Sequence, residues 1–141
     1  MIPKTKKYQG GGEIVEVALV LPLLFFLIFG IINGGWAIFS YNTLVAATRE
    51  GARYGSVLGT KSGETTVTAP PLIIARVRQQ AVGVPLVSKP GETNPQVLYP
   101  NGNNERGSTV TVITTFTFTP IAPFFGPKID LTSQASMIIF Y

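Results

Sequence analysis

The chain has 141 residues, 45% of them hydrophobic and only 13% charged, which leaves room for one membrane helix and one small domain partly buried in lipid or in an assembly. It contains no cysteine and no histidine, so it has no disulfide framework, no Cys/His metal site and no Ser-His-Asp or Cys-His relay. The net charge of +4 is concentrated at the start: Lys4, Lys6 and Lys7 supply three of eleven positive charges, and the remaining eight face seven acids, which is not the clustered basic stripe that nucleic acid needs. No spacing of the scattered acids suggests a paired-carboxylate site, so neither an enzyme nor a cofactor nor a metal is expected.

Residues 1–11 are short, basic and glycine-rich. Glycine costs about 1 kcal/mol against alanine inside a helix, so no helix is expected here. Lysines beside an apolar run hold this end in the cytoplasm. The segment reads either as a topology signal alone or as a leader that is removed.

Residues 12–39 read as a membrane-spanning helix. From Val17 through Thr48 no residue is charged, and Glu16 stands at the near edge of that run, behind Gly10, Gly11 and Gly12. A helix of this length crosses a hydrocarbon core of about 30 Å with an interface to spare. Pro22 removes a backbone donor and predicts a kink. Trp36 and Tyr41 lie where the helix leaves the lipid, as interfacial aromatics do. A secretory signal peptide is the competing reading, but its apolar region would be shorter and end at a small-residue cleavage site. Gly30 and Gly34 form a GxxxG pair, which reads equally as a close helix–helix contact or as the ordinary frequency of glycine in membrane helices. A carboxylate drawn toward the bilayer centre costs about 2.5–3.5 kcal/mol, so Glu16 either snorkels to the cytoplasmic interface or has a partner.

Residues 40–58 continue the helix out of the membrane. Tyr41, Leu44, Val45, Thr48 and Ala52 recur at helical spacing and are expected to form its apolar side. Arg49, Glu50 and Arg53 fall on another side, with Glu50 and Arg53 at i, i+3, and read as a solvated face. Ala47, Gly51, Gly55 and Gly59 recur every four residues and read as a narrow packing ridge.

Residues 59–141 read as a small extracytoplasmic α+β domain. Gly59 to Thr68 is expected to be a polar linker. Pro70 and Pro71 open a short helix whose apolar side is expected to comprise Leu72, Ile73, Ala75, Val77 and Ala81. A Pro-, Gly- and Asn-rich stretch over 83–108 holds a short strand at Gln96–Tyr99. Val110–Thr119 alternates, with Val110, Val112, Phe116 and Phe118 opposite Thr111, Thr115, Thr117 and Thr119. Ile129–Tyr141 alternates again, with Ile129, Leu131, Ala135, Met137 and Ile139 opposite Asp130, Thr132, Gln134 and Ser136. Two such strands should pair antiparallel across the turn-rich apolar loop PIAPFFGP. The predicted architecture is therefore a long N-terminal transmembrane helix that continues into a small domain with a short helix and an antiparallel sheet.

Three blocks of this sequence, in this order, resemble the TadE-like proteins of the tight-adherence (Flp-type) pilus system. They are GEIVEVALVLPLLFFLIFGIINGGW, then AATREGARYG, then VTVITTFTFTPIAPFFGPKIDLTSQASM. Val17 stands where that family usually has an aromatic, and Glu13 where a small apolar residue is common; the glycine–glutamate spacing is intact. The resemblance implies a pseudopilin or minor pilin, anchored in the cytoplasmic membrane with its domain outside and destined for a surface pilus. It implies cleavage by a prepilin peptidase between Gly11 and Gly12, which leaves Glu16 as the fifth mature residue. Glu16 could then pair with the new Gly12 ammonium of a neighbouring subunit and set the stagger between parallel helices. The implied partners are membrane lipid, the peptidase and other pilus subunits, in homo- or hetero-oligomers built through the N-terminal helix. The alternative is a membrane-anchored envelope protein that never polymerises.

Overall fold

A sequence with this many apolar helix formers propagates one helix far beyond the span of a bilayer. The computed structural model describes residues 10–86, 88, 93–121 and 125–140. In it α1 runs unbroken over Gly10–Gly55 and through Pro22, about 69 Å at 1.5 Å per residue. Gly10 and Gly11 are inside it together with Gly12, contrary to the expectation from glycine propensity over residues 1–11. Nucleation is the costly step in a helix, and once the apolar run has made it, propagation back through three glycines is cheap by comparison.

The helix stops at Gly55, three residues short of the sequence expectation, and its end is tied off rather than frayed. Val57 N–H bonds to Tyr54 O and Leu58 N–H to Gly55 O, tightening the last turn. Ser56 Oγ donates to Arg53 O at 2.7 Å. Ser56 O in turn accepts the N–H of Phe140 at 2.9 Å, so the chain's last strand is hooked to the top of α1.

The expected free linker over 59–68 is instead a fixed corner with a 3₁₀ turn at Thr60–Ser62. Asn104 holds it: its Nδ2 donates to Glu64 O at 2.8 Å, and its backbone O accepts the N–H of Thr60. Next, α2 spans Ala69–Gln80, with its prolines in the first turn, where no intrahelical N–H bond is lost. Its buried row is Ala69, Ile73 and Val77, followed by Ala81. Leu72 and Ala75, expected on that side, are exposed. A row at i+4 spacing wins because it meets a row of the same spacing on α1, where Gly51 lies under Val77 and Gly55 under Ile73.

Three strands, β1 (Gln96–Leu98), β2 (Thr109–Phe118) and β3 (Ile129–Ile138), form one antiparallel sheet in that order, with β2 in the centre. β2 pairs Val112 with Ala135 and Thr117 with Asp130. This register sends Val110, Val112, Phe116 and Phe118 onto α1, where all four are buried, as their alternation predicted. On the other face Thr111 and Ser136, Thr115 and Thr132, and Thr117 and Asp130 join across the strands by side-chain hydrogen bonds. Asn94 extends the pairing beyond β1. Its side chain both donates to Thr115 O (2.6 Å) and accepts from Thr115 N–H (3.1 Å), as a strand residue would.

The core lies between α1, α2 and the sheet. Its upper part holds Ala47, Ala52, Ile73, Val77, Val110, Val112 and Ile139; its lower part holds Leu44, Val84, Phe116 and Phe118. Burial of each such Val, Ile or Phe side chain contributes about 1.5–3 kcal/mol. On α1 the buried positions are Asn33, Ser40, Leu44, Ala47, Thr48, Gly51, Ala52 and Gly55. Tyr41, expected among them, is exposed, and Val45 is only half-buried. The small residues win because the sheet approaches closely enough for Thr48 Oγ1 and Thr114 Oγ1 to share a hydrogen bond of 2.5 Å.

Candidate functional site

The lower half of α1 is the part of this molecule that its own fold leaves uncovered. From Gly11 to Ile32 every residue is exposed except Phe29 and Gly30, which are half-buried. The exposed side chains are apolar on all sides of the helix: Ile14 is 71% exposed, Leu19 73%, Leu23 69% and Ile31 67%. A helix that is apolar all round is a membrane span or the core of a larger bundle. Among the described residues α1 is the one helix long and apolar enough to cross a membrane.

Gly11 and Gly12 lie in the first turns of α1 with open space around them. Glu16 follows one turn later, exposed, with no hydrogen bond or ion pair among the described residues. Val17, Val20, Leu21 and Leu24 form its apolar side. A carboxylate there needs either water at the interface or a cationic partner.

The GxxxG pair is divided. Gly34 has nothing within 4 Å of where a Cβ would stand, whereas Gly30 is half-covered by the chain's own Phe125, whose Cε1 would lie 3.6 Å from a Cβ. Gly51 and Gly55 are enclosed by Val77, Ile73 and Val110 of the head. Their absent side chains serve packing within the subunit.

The head reaches down α1 through the turn between β2 and β3. Asn33, 6% exposed, takes the backbone N–H of Ile121 on its Oδ1 at 2.8 Å. Its Nδ2 donates to Phe29 O at 2.9 Å. The rings of Phe26 and Phe125 stack with centroids 5.1 Å apart. No local sequence pattern marks Phe26, Asn33, Ile121 and Phe125 as partners. The available signal was an asparagine inside an apolar run, which membrane helices rarely carry without a partner.

At the upper end the charges form a clamp. Glu50 accepts hydrogen bonds from Arg53 Nε (2.8 Å) and from Arg76 Nη2 (3.0 Å), joining α1 to α2. Arg53 and then Arg76 hold its carboxyl at about 2, well below the usual carboxylate range. The i, i+3 pair is present as the spacing suggested, but the face is not simply solvated, because Arg76 comes over from α2. Burial, and to a lesser degree the charge of Glu64, pushes the Tyr99 hydroxyl up.

No curated protein and no solved structure matches the chain. Residues 11–53, the uncovered apolar helix together with most of the part under the head, match the family model described as TadE-like protein, and over that stretch the chain is similar to that family.

Proposed function

We propose that the protein is a membrane-anchored pseudopilin or minor pilin that acts in assembly of a tight-adherence, type IV-like pilus. One observation carries this reading: an apolar helix, matched to the TadE-like model, holds Glu16 four residues beyond Gly12 with no ion-pair partner among the described residues. In this reading a prepilin peptidase cuts between Gly11 and Gly12. The Gly12 ammonium so created pairs with Glu16 of a neighbouring subunit, and each charge relieves the burial cost of the other. The lysine-rich start stays in the cytoplasm and the head lies outside. The chain contributes surfaces for assembly and no catalytic step.

The division of α1 supports the same reading. The head covers one face from about Phe26 upward, and the remaining faces of the lower helix are free for parallel copies or other pilus subunits. Mass spectrometry of the mature amino terminus, from native membranes, tests it. A start at Gly12 is expected. An intact mass equal to residues 1–141 would remove the pairing mechanism and leave a non-polymerising envelope anchor.

A further inference from the structure

The turn between β2 and β3 does not stay with the head. Its Ile121 is bonded to Asn33, and its Phe125 lies on Phe26 and over Gly30. These three positions form one face of α1 and descend from the head in the order Asn33, Gly30, Phe26. An apolar slab of about 30 Å takes up roughly twenty helical residues. Counted from Glu16, such a slab ends at Trp36, the chain's single tryptophan. Below Trp36, Asn33 is then about 4.5 Å deep, Gly30 about 9 Å and Phe26 about 15 Å.

We infer that Ile121 and Phe125 form a second membrane contact, in which these two residues lie in the outer leaflet beside α1 and take lipid acyl chains as their ligand. The inference rests on the membrane-spanning reading of α1 given above.

Three features of the tip fit hydrocarbon. The sequence is uncharged from Ser108 through Pro127, and Ile121 is 61% exposed although it is a large apolar side chain. The first charge after the tip is exposed Lys128, placed to meet lipid phosphates at the surface. Part of the backbone is also prepared. Irregular chain is tolerated at membrane depth only where its polar groups are satisfied. Here Ile121 N–H is taken by Asn33, while Pro120 and Pro127 have no N–H to satisfy. Asn33 itself spends its oxygen on Ile121 and its amide on Phe29 O, which accounts for a polar residue at that level. Held by both the helix and the tip, the head has a fixed orientation on the membrane instead of swinging on a single stalk.

The absence of cysteine makes the test direct. Single variants of the full chain, Ile121→Cys, Leu23→Cys and Lys61→Cys, are labelled with an environment-sensitive fluorophore. They are reconstituted into phosphatidylcholine vesicles with and without nitroxide-bearing acyl chains. Quenching is expected at positions 121 and 23 alike and absent at 61, with position 121 quenched more by a shallow nitroxide than by a deep one. Position 121 emitting as in water while position 23 is quenched would overturn the inference and leave the span intact. Position 121 shielded from water yet unquenched would overturn it in favour of contact with a second copy. Loss of quenching at position 23 would instead remove the membrane-spanning reading itself, and the inference with it.

Discussion

Val77 of α2 fills the space left by the missing side chain of Gly51 on α1, so closely that a Cβ on Gly51 would collide with its Cγ2. Gly51→Ala therefore gains up to about 1 kcal/mol in helix propensity but incurs an overpacking cost of about 1–3 kcal/mol. A net loss of stability is expected in thermal unfolding of the detergent-solubilised protein. Gly34→Ala, with open space around it, should be neutral or stabilising. Adding Val77→Ala to Gly51→Ala should recover part of the loss, because the colliding methyl group is gone; strict additivity of the two changes would argue against the contact.

Glu50 makes stability depend on acid. Its carboxyl is lowered from 4.5 to about 2 by Arg53 and Arg76. A depressed carboxylate stabilises the fold fully above its unfolded value, and that contribution is lost as pH falls from 4.5 through about 2. Arg53 is largely in solvent and Arg76 partly so, and screening limits the effect to about 1 kcal/mol. Unfolding midpoints measured across this window should fall with pH, and Glu50→Gln should flatten the profile there. A variant that keeps the wild-type acid slope would assign it to other carboxyls.

Asn33→Leu keeps size but removes the acceptor of Ile121 N–H. A buried donor left without a partner costs about 1–3 kcal/mol, and this part-buried one should fall toward the low end. Hydrogen exchange at Ile121 should accelerate, while exchange at Val110 and Val112 in the central strand stays as in the wild type. Unchanged exchange at Ile121 would show that the tip holds to α1 without this bond.

Glu16→Gln separates the two readings of that residue. Insertion should be unchanged or improved, because an amide is cheaper than a carboxylate near lipid. Leader cleavage should persist, since the peptidase acts at the glycines. Assembly should fail, because removing one member of a buried ion pair leaves the other uncompensated at a cost of about 3–5 kcal/mol. Membrane level, processing and cross-linking to pilus subunits are measured in one strain. Normal cross-linking with normal pili would make Glu16 a solvated interface residue.

The sequence alone determined what depends on neighbours along the chain. An uncharged run of this length reads as a helix fit for lipid. Period-two alternation fixed which side chains of β2 face the core, and the same pattern gave β3 and its antiparallel pairing. The i, i+3 spacing gave Glu50 and Arg53. Each of these is a short-range rule, since backbone geometry repeats every two or every 3.6 residues whatever the rest of the chain does.

Only the tertiary structure decided which residues of those elements were used. Leu72, Ala75 and Tyr41 had the right spacing and polarity but are exposed: on α2 the Ala69, Ile73, Val77 row meets Gly51 and Gly55 of α1, and on α1 small residues let the sheet come close. Segment 59–68 is a fixed corner because Asn104, some forty residues on, supplies its hydrogen bonds. Thr48 finds Thr114 66 positions away, and Asn33 finds Ile121 at 88. No local period encodes such pairs. They arise because folding brings distant polar groups together in places without water, where each is stable only when the other is present.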